Sequence, residues 1–317
     1  SGIAFDPFLE APVVAELFRP LLGLPPLAGF LLETAASSAM MVAACILLLR
    51  ALRVRADVQV AGIAAVAALS LPAAWVLALG QTDALVVLAA ALALWLRSSE
   101  RRMLAGLALS VAFLKPQTVF MAVPLLLLAR EWRWLFGTLV GIAALAVASL
   151  LITGGSGLSS WLSLAASSGP ALSSSVGIGG AIAWLGGGAA GLVAAALSAA
   201  CGVALVVSKR EVLRTPSLLL ACAVVLSLLA APHVYSYDLA VLVLPVLVMT
   251  GIDRTLGAAL AVALSAAQLL DSYLIWTGVH AETLLMVLLI AALLHAVRRR
   301  PAADRTHAAN PVHAATA

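Results

Sequence analysis

The sequence predicts an all-α polytopic membrane protein, and three observations carry that prediction. Of its 317 residues, 64% are hydrophobic and only 10% charged, with a mean hydropathy of +1.14. A soluble domain covers itself with roughly 25% charged residues, which a chain solvated by lipid tails does not need. Apolar runs of bilayer-crossing length recur, and arginines gather at the ends of those runs. The net charge of +4 therefore reads as positive-inside topology and not as a basic patch, and no nucleic-acid partner is expected. Cys45, Cys201 and Cys222 all lie in apolar runs, where a thiol packs as a small hydrophobe, so neither a disulfide framework nor a metal site is expected.

Three regions follow. Residues 1–26 hold five prolines and four charges, which disfavour a continuous spanning helix; they read as an extracytoplasmic, interfacial loop with a short amphipathic piece. Residues 27–300 read as a transmembrane helical domain of about eleven spans, and residues 301–317 as a disordered cytoplasmic tail. The chain opens on Ser1 with no signal-peptide pattern, so further sequence, including another span, is expected upstream.

Within the membrane domain, Leu27 to Leu49 is a full span closed by Arg50, Arg53 and Arg55, with Glu33 close to an interface. Val58 to Leu79 is a second, kinked at Pro72, ending in Gly80-Gln81-Thr82-Asp83. Ala84 to Leu96, Met103 to Leu114 and Thr118 to Ala129 are short. At 1.5 Å per residue such runs reach only about 20 Å of a roughly 30 Å core, so Lys115-Pro116-Gln117 between them must be sunk below the membrane surface. Trp134 to Ile152 spans again, followed by a long, uncharged Ser/Gly-rich connection from Thr153 to about Gly187. Trp161 and Trp184 place part of that connection in the headgroup layer. Gly188 to Ser208 is a span, and the short runs Pro216 to Ala231 and Leu239 to Met249 flank the heptapeptide Pro232-His233-Val234-Tyr235-Ser236-Tyr237-Asp238. Leu256 to Ile275 and Thr283 to Val297 complete the set.

Charge decides whether Lys115-Pro116 is a kink or a turn. As a turn, it puts every lysine and arginine except Arg19 and Lys115 on one side; as a kink, it divides them. The positive-inside rule favours the turn. The polar connections at Gly80–Asp83, Lys115–Gln117, Pro232–Asp238 and Trp276–Glu282 then share the extracytoplasmic face, where they line a cavity for an anionic lipid headgroup.

The candidate residues follow from that placement. Lys115 reads as a phosphate ligand, since an ionisable group at depth costs at least about 2.5 kcal/mol unless paired or wet; the alternatives are a snorkelling lysine or a structural pairing with Asp83 or Asp238. His233 can donate to a phosphate or carry a proton near neutral pH. Asp83 and Asp238 either serve the site or cap the helices that follow them. Gln81, Gln117, Tyr237 and Arg19 are weaker candidates for orienting a substrate, and Asp271, His280 and Glu282 read as solvated rim. No P-loop, HExxH motif or Cys/His zinc spacing occurs, so nucleotide chemistry is not expected. A donor delivered through the membrane, such as a polyprenyl-phosphate sugar, suits an enzyme on this face.

Gly80-Gln81 before a short helix, Ala105-Gly106-Leu107 leading to Lys115-Pro116, and Pro232-His233 followed by Tyr237-Asp238 resemble glycosyltransferase family 87, as do Phe5-Asp6-Pro7, Arg19-Pro20 and Leu24-Pro25. The likeness covers residues 5 to about 250. It implies a GT-C-like bundle and an inverting transfer of mannose, or a related sugar, from polyprenyl phosphate to a glycolipid or glycan hydroxyl in the plasma membrane, with no cofactor. It further implies that Lys115 and His233 bind the donor phosphate and that Gln81, Tyr237 and Asp238 orient the sugar or phosphate. The family's catalytic aspartate, in its first extracytoplasmic loop, is expected upstream of Ser1; Asp6 is not that base. Ser173-Ser174-Ser175 stands where the family often carries an Asn-x-Ser-like pattern. A secondary transporter, with broken helices and buried ionisable groups, and a lipid-carrier flippase are the rival readings.

Overall fold

The computed structural model describes residues 12–167, 175–274 and 280–299. Those residues are almost wholly helical, with no strand among them. A short α1 (Pro12–Phe18) and a 3₁₀ turn (Arg19–Gly23) lead into α2 (Pro26–Ala51), which starts at Pro26, where a proline's missing N–H costs nothing. Asp57 caps α3 (Val58–Ala68), its carboxylate accepting the Val60 N–H at 3.0 Å. After it, α4 (Leu71–Leu79) is bent by 50° from α3, with Pro72 in its first turn and the Leu71 N–H donated to Ser265 at 3.0 Å.

The chain continues as α5 (Asp83–Ser98), α6 (Arg102–Val111), α7 (Ala122–Leu128) and α8 (Trp132–Ser167). Then come α9 (Ile178–Gly186), α10 (Gly188–Ser208), α11 (Arg210–Arg214), α12 (Pro216–Ala230), α13 (Val243–Thr250), α14 (Arg254–Leu274) and α15 (Ala281–Arg299). By length and apolar composition, α2, α8, α10 and α14 can each cross a membrane, and α3 with α4 makes a fifth span if the bent pair is counted as one. Helix length therefore accounts for four or five of the roughly eleven spans read from the sequence.

The Ser/Gly connection is corrected by the structure. Helix α8 continues through Thr153 to Ser167, broken only at Gly154 (φ 67°, ψ 175°), and α9 occupies residues 178–186. The serine and threonine hydroxyls here bond back along the chain, which satisfies them and favours a bend: Thr153 donates to the Ser149 carbonyl at 2.9 Å and Ser159 to the Ser156 carbonyl at 2.9 Å. Residues 1–11, including Phe5-Asp6-Pro7, Ser173-Ser174, Trp276 and the tail from residue 301 lie outside the described residues.

Ion pairs establish that Lys115-Pro116 reverses the chain. Arg97 at the end of α5 bonds Glu131 at 2.8 Å, and Arg102 at the start of α6 lies 3.8 Å from the same carboxylate. The segment from Arg102 to Glu131 thus leaves one end of the bundle and returns to it. Arg254 likewise bonds Asp57 at 2.6 Å, so α3 and α14 start together. The arginine-rich termini of α2, α5 and α7 gather at this end, and the polar breaks at Gly80–Asp83, Lys115–Gln117, Ser175–Gly177 and Pro232–Asp238 gather at the other.

Helices α6 and α8 run parallel and nearly touch backbone to backbone. A Cβ at Gly106 would strike the Trp134 carbonyl and the Thr138 N–H, and one at Gly137 the Met103 carbonyl. Small residues give such close approach between helices in a membrane. Gly106→Ala should therefore lose about 1–3 kcal/mol by overpacking, read as a lower midpoint of thermal unfolding in detergent. Gly62→Ala, in α3 with open space around it, should be neutral or gain up to about 1 kcal/mol.

Candidate active site

Three breaks in helical structure meet at one buried ammonium. The first is the end of α4, where Gly80 adopts the left-handed conformation (φ 64°, ψ 41°) that favours glycine. The chain there turns through Gln81 and Thr82 into Asp83, the first residue of α5. The second is Lys115, extended (φ −127°, ψ 74°) between two 3₁₀ turns, 112–114 and 116–118; a residue preceding proline is pushed out of the helical region. The Thr118 hydroxyl braces it by donating to the Lys115 carbonyl at 2.7 Å. The third is the heptapeptide, closing α12 and opening a 3₁₀ stretch, Ser236–Leu242, that leads into α13.

The Lys115 Nζ lies 2.6 Å from Asp83 Oδ2 and 2.6 Å from Asp238 Oδ1. Lys115 is 3% exposed and both aspartates 0%. The Tyr237 ring lies beside the ammonium, 4.7 Å from Nζ to its centroid, a cation–π distance, and Tyr235 stacks on Tyr237 with centroids 5.2 Å apart. Asp238 also caps its own turn, Oδ2 accepting the Tyr235 N–H at 2.9 Å. Its capping and its place in the site are thus one arrangement. The structural pairing weighed for Lys115 is present with both aspartates at once. A buried cation between two carboxylates holds three chain segments in register, since losing the lysine strands two buried charges and losing either aspartate breaks one of the two links.

The other candidates are placed around this centre. His233 is half-buried on the heptapeptide, and its Nδ1 is enclosed with no hydrogen-bond partner among the described residues. Burial lowers its pKa below the usual 6.5, so the imidazole is neutral at physiological pH. Gln81 lines a cavity of about 190 Å³ with Leu17, Phe18, Glu33, Ser37 and Thr82, between the N-terminal segment, α2 and the start of α5. Gln117 is half-buried beside Lys115. Arg19 does not join the cluster; it pairs with Glu16 at 3.0 Å on the surface, its side chain 73% exposed.

Two expectations need correction. Asp271 and Glu282, read as solvated rim, are 7% and 0% exposed; Asp271 accepts the Ala281 N–H at 3.0 Å and Glu282 accepts the Ser236 hydroxyl at 2.9 Å. Ser175, noted only as one of three serines, accepts the Val234 N–H at 3.0 Å. A polar residue next to a glycine-rich or loop segment gives no signal of such a partner, because the partner is fixed by tertiary packing.

A protein-family model, glycosyltransferase family 87, matches residues 8–232. Comparison with curated proteins and with solved structures gives no match. The family match takes in two of the three breaks, with Asp83 and Lys115, and stops at Pro232, just short of His233. Covering well over half of the chain, it identifies a membrane protein that belongs to glycosyltransferase family 87.

Proposed function

We propose that this glycosyltransferase moves a sugar, mannose, from a polyprenyl-phosphate donor to a hydroxyl of a glycolipid or glycan, with inversion, at the extracytoplasmic face of the plasma membrane. The lipid-linked sugar is a co-substrate, and no cofactor takes part. The observation that carries the proposal is the Asp83–Lys115–Asp238 cluster at the end of the bundle opposite the arginines. By the positive-inside rule that end faces away from the cytoplasm, where activated sugars reach an enzyme on lipid carriers. The shorter helices α5 to α7, α12, α13 and α15 act as the remaining spans of a GT-C-like bundle of about eleven.

The geometry divides the work among the candidate residues. Lys115 has three N–H donors; two face carboxylates and Tyr237 packs beside the ammonium. The cluster carries one positive and two negative formal charges, so a phosphate resting directly against it is opposed by Coulomb repulsion. Lys115 accordingly fixes Asp83 and Asp238, and meets the donor phosphate only if Tyr237 turns aside. His233 makes the direct phosphate contact and strengthens it as negative charge grows on the leaving group. Gln81 and Tyr237 orient the sugar, with Gln117 and Arg19 nearer the rim.

The test is transfer of labelled mannose by membranes containing the full-length protein. Polyprenyl-phosphate mannose should support transfer, and a nucleotide-linked mannose in membranes lacking the lipid carrier should not. Transfer from the nucleotide sugar alone, or from neither, would overturn the proposal. Sealed vesicles of opposite orientation locate the active face.

A further inference from the structure

The last two helices lie wholly beyond the family-matched region, which ends at residue 232, yet they are tied into the candidate site. The Ser236 hydroxyl, in the middle of the heptapeptide, donates to Glu282 Oε2 at 2.9 Å. The next residue of α15, Thr283, donates its hydroxyl to the Val176 carbonyl at 2.6 Å. The Val176 N–H in turn donates to the Val234 carbonyl at 2.9 Å, and the Val234 N–H to the Ser175 hydroxyl at 3.0 Å. The 175–177 turn is pressed onto the end of α12 as well: a Cβ on Gly177 would lie 2.9 Å from the Leu228 carbonyl. The first turn of α15 therefore clamps the heptapeptide directly at Ser236 and indirectly, through Val176, at Val234, two points that lie between His233 and Asp238.

Glu282 is 0% exposed, and its Oε1 has no hydrogen-bond partner among the described residues. A buried carboxyl group is costly to keep, and an apolar side chain would fill the same space more cheaply if packing were all that was needed. Its one side-chain hydrogen bond in the site goes to the segment that carries the proposed phosphate contact. We infer that Glu282 is a positioning residue for the donor site, holding the His233–Asp238 turn in its binding geometry through Ser236; the inference rests on the proposed donor reading.

The hydrogen bond, not the charge, carries this role, which separates the variants. In the full-length protein in membranes, Glu282→Ala should raise the donor KM about tenfold, the size of one lost buried hydrogen bond, while the acceptor KM stays the same. Glu282→Gln, which keeps an oxygen for Ser236, should restore the donor KM to within about twofold of the starting protein. Ser236→Ala should match Glu282→Ala, and the double variant should be no worse than either, since both act through one bond. Amide hydrogen exchange across residues 232–240 should speed up in both alanine variants without donor present. Additive losses, a Gln variant as impaired as the Ala variant, or unchanged exchange would each overturn the inference. If the starting protein transfers no sugar, the donor reading fails, while the exchange measurement still decides whether the clamp exists; should Glu282→Ala not fold, the Ser236→Ala and Glu282→Gln arms decide it.

Discussion

Lys115→Met is expected to lower the stability of this protein by about 3–5 kcal/mol, the cost of removing one partner from a buried ion pair. Methionine matches the length and much of the volume of lysine, so little of the loss comes from a cavity. It comes from Asp83 and Asp238, both 0% exposed, left facing each other with their shared cation gone. Thermal unfolding in detergent should show a large fall in midpoint, with less folded protein in the membrane fraction. The triple variant Asp83→Asn/Lys115→Met/Asp238→Asn should recover most of it, because amides carry no charge to strand and the amide oxygen introduced at position 238 can still accept the Tyr235 N–H. A Lys115→Met protein as stable as its parent would mean that water reaches the cluster.

His233→Ala is expected to act on transfer and not on folding. The side chain is half-buried and its Nδ1 makes no hydrogen bond among the described residues, so truncation breaks no internal contact through that atom. Loss of one donor aimed at a developing negative charge costs about 10²–10³ in turnover, and that fall is expected with polyprenyl-phosphate mannose. The pH dependence has a definite sign. Burial lowers the pKa below 6.5, so the neutral form prevails at pH 7 and the cation appears only on the acid side. A phosphate prefers the cation, so donor affinity should rise as pH falls through the imidazole pKa. His233→Gln should abolish that slope, and a slope that survives would assign it to another group.

The helical fold, the chain reversal at Lys115 and the gathering of polar breaks at one end were legible in the sequence, because each rests on a one-dimensional signal. Apolar run length gives helices, and the distribution of arginines gives the direction of the chain. The pairing of Lys115 was legible only as an alternative: the sequence shows one lysine and two aspartates near helix ends, and only packing shows that both reach it. Glu282 and Asp271 were misread because carboxylates beside a polar loop normally mark solvent, and nothing local announces that Ser236 and the Ala281 N–H are waiting for them. The 153–167 stretch was misread because serine and glycine are weak helix formers, whereas the chain resumes a helix after the break at Gly154.

The cluster around Lys115 also sets an order of events during biogenesis. Asp83 precedes Lys115 by 32 residues, so a nascent chain can bring the two into the bilayer as a neutral pair. Either one alone would cost about 2.5–3.5 kcal/mol on insertion scales, so pairing eases the entry of α5 to α7. Asp238 is made much later and can be buried only against a lysine already seated. A first half that has mispaired leaves Asp238 without a berth, and the second half cannot close. Such a chain would stand as an open bundle with a carboxylate at its edge, so the same three charges that organise the site also couple the closing of the second half to the packing of the first.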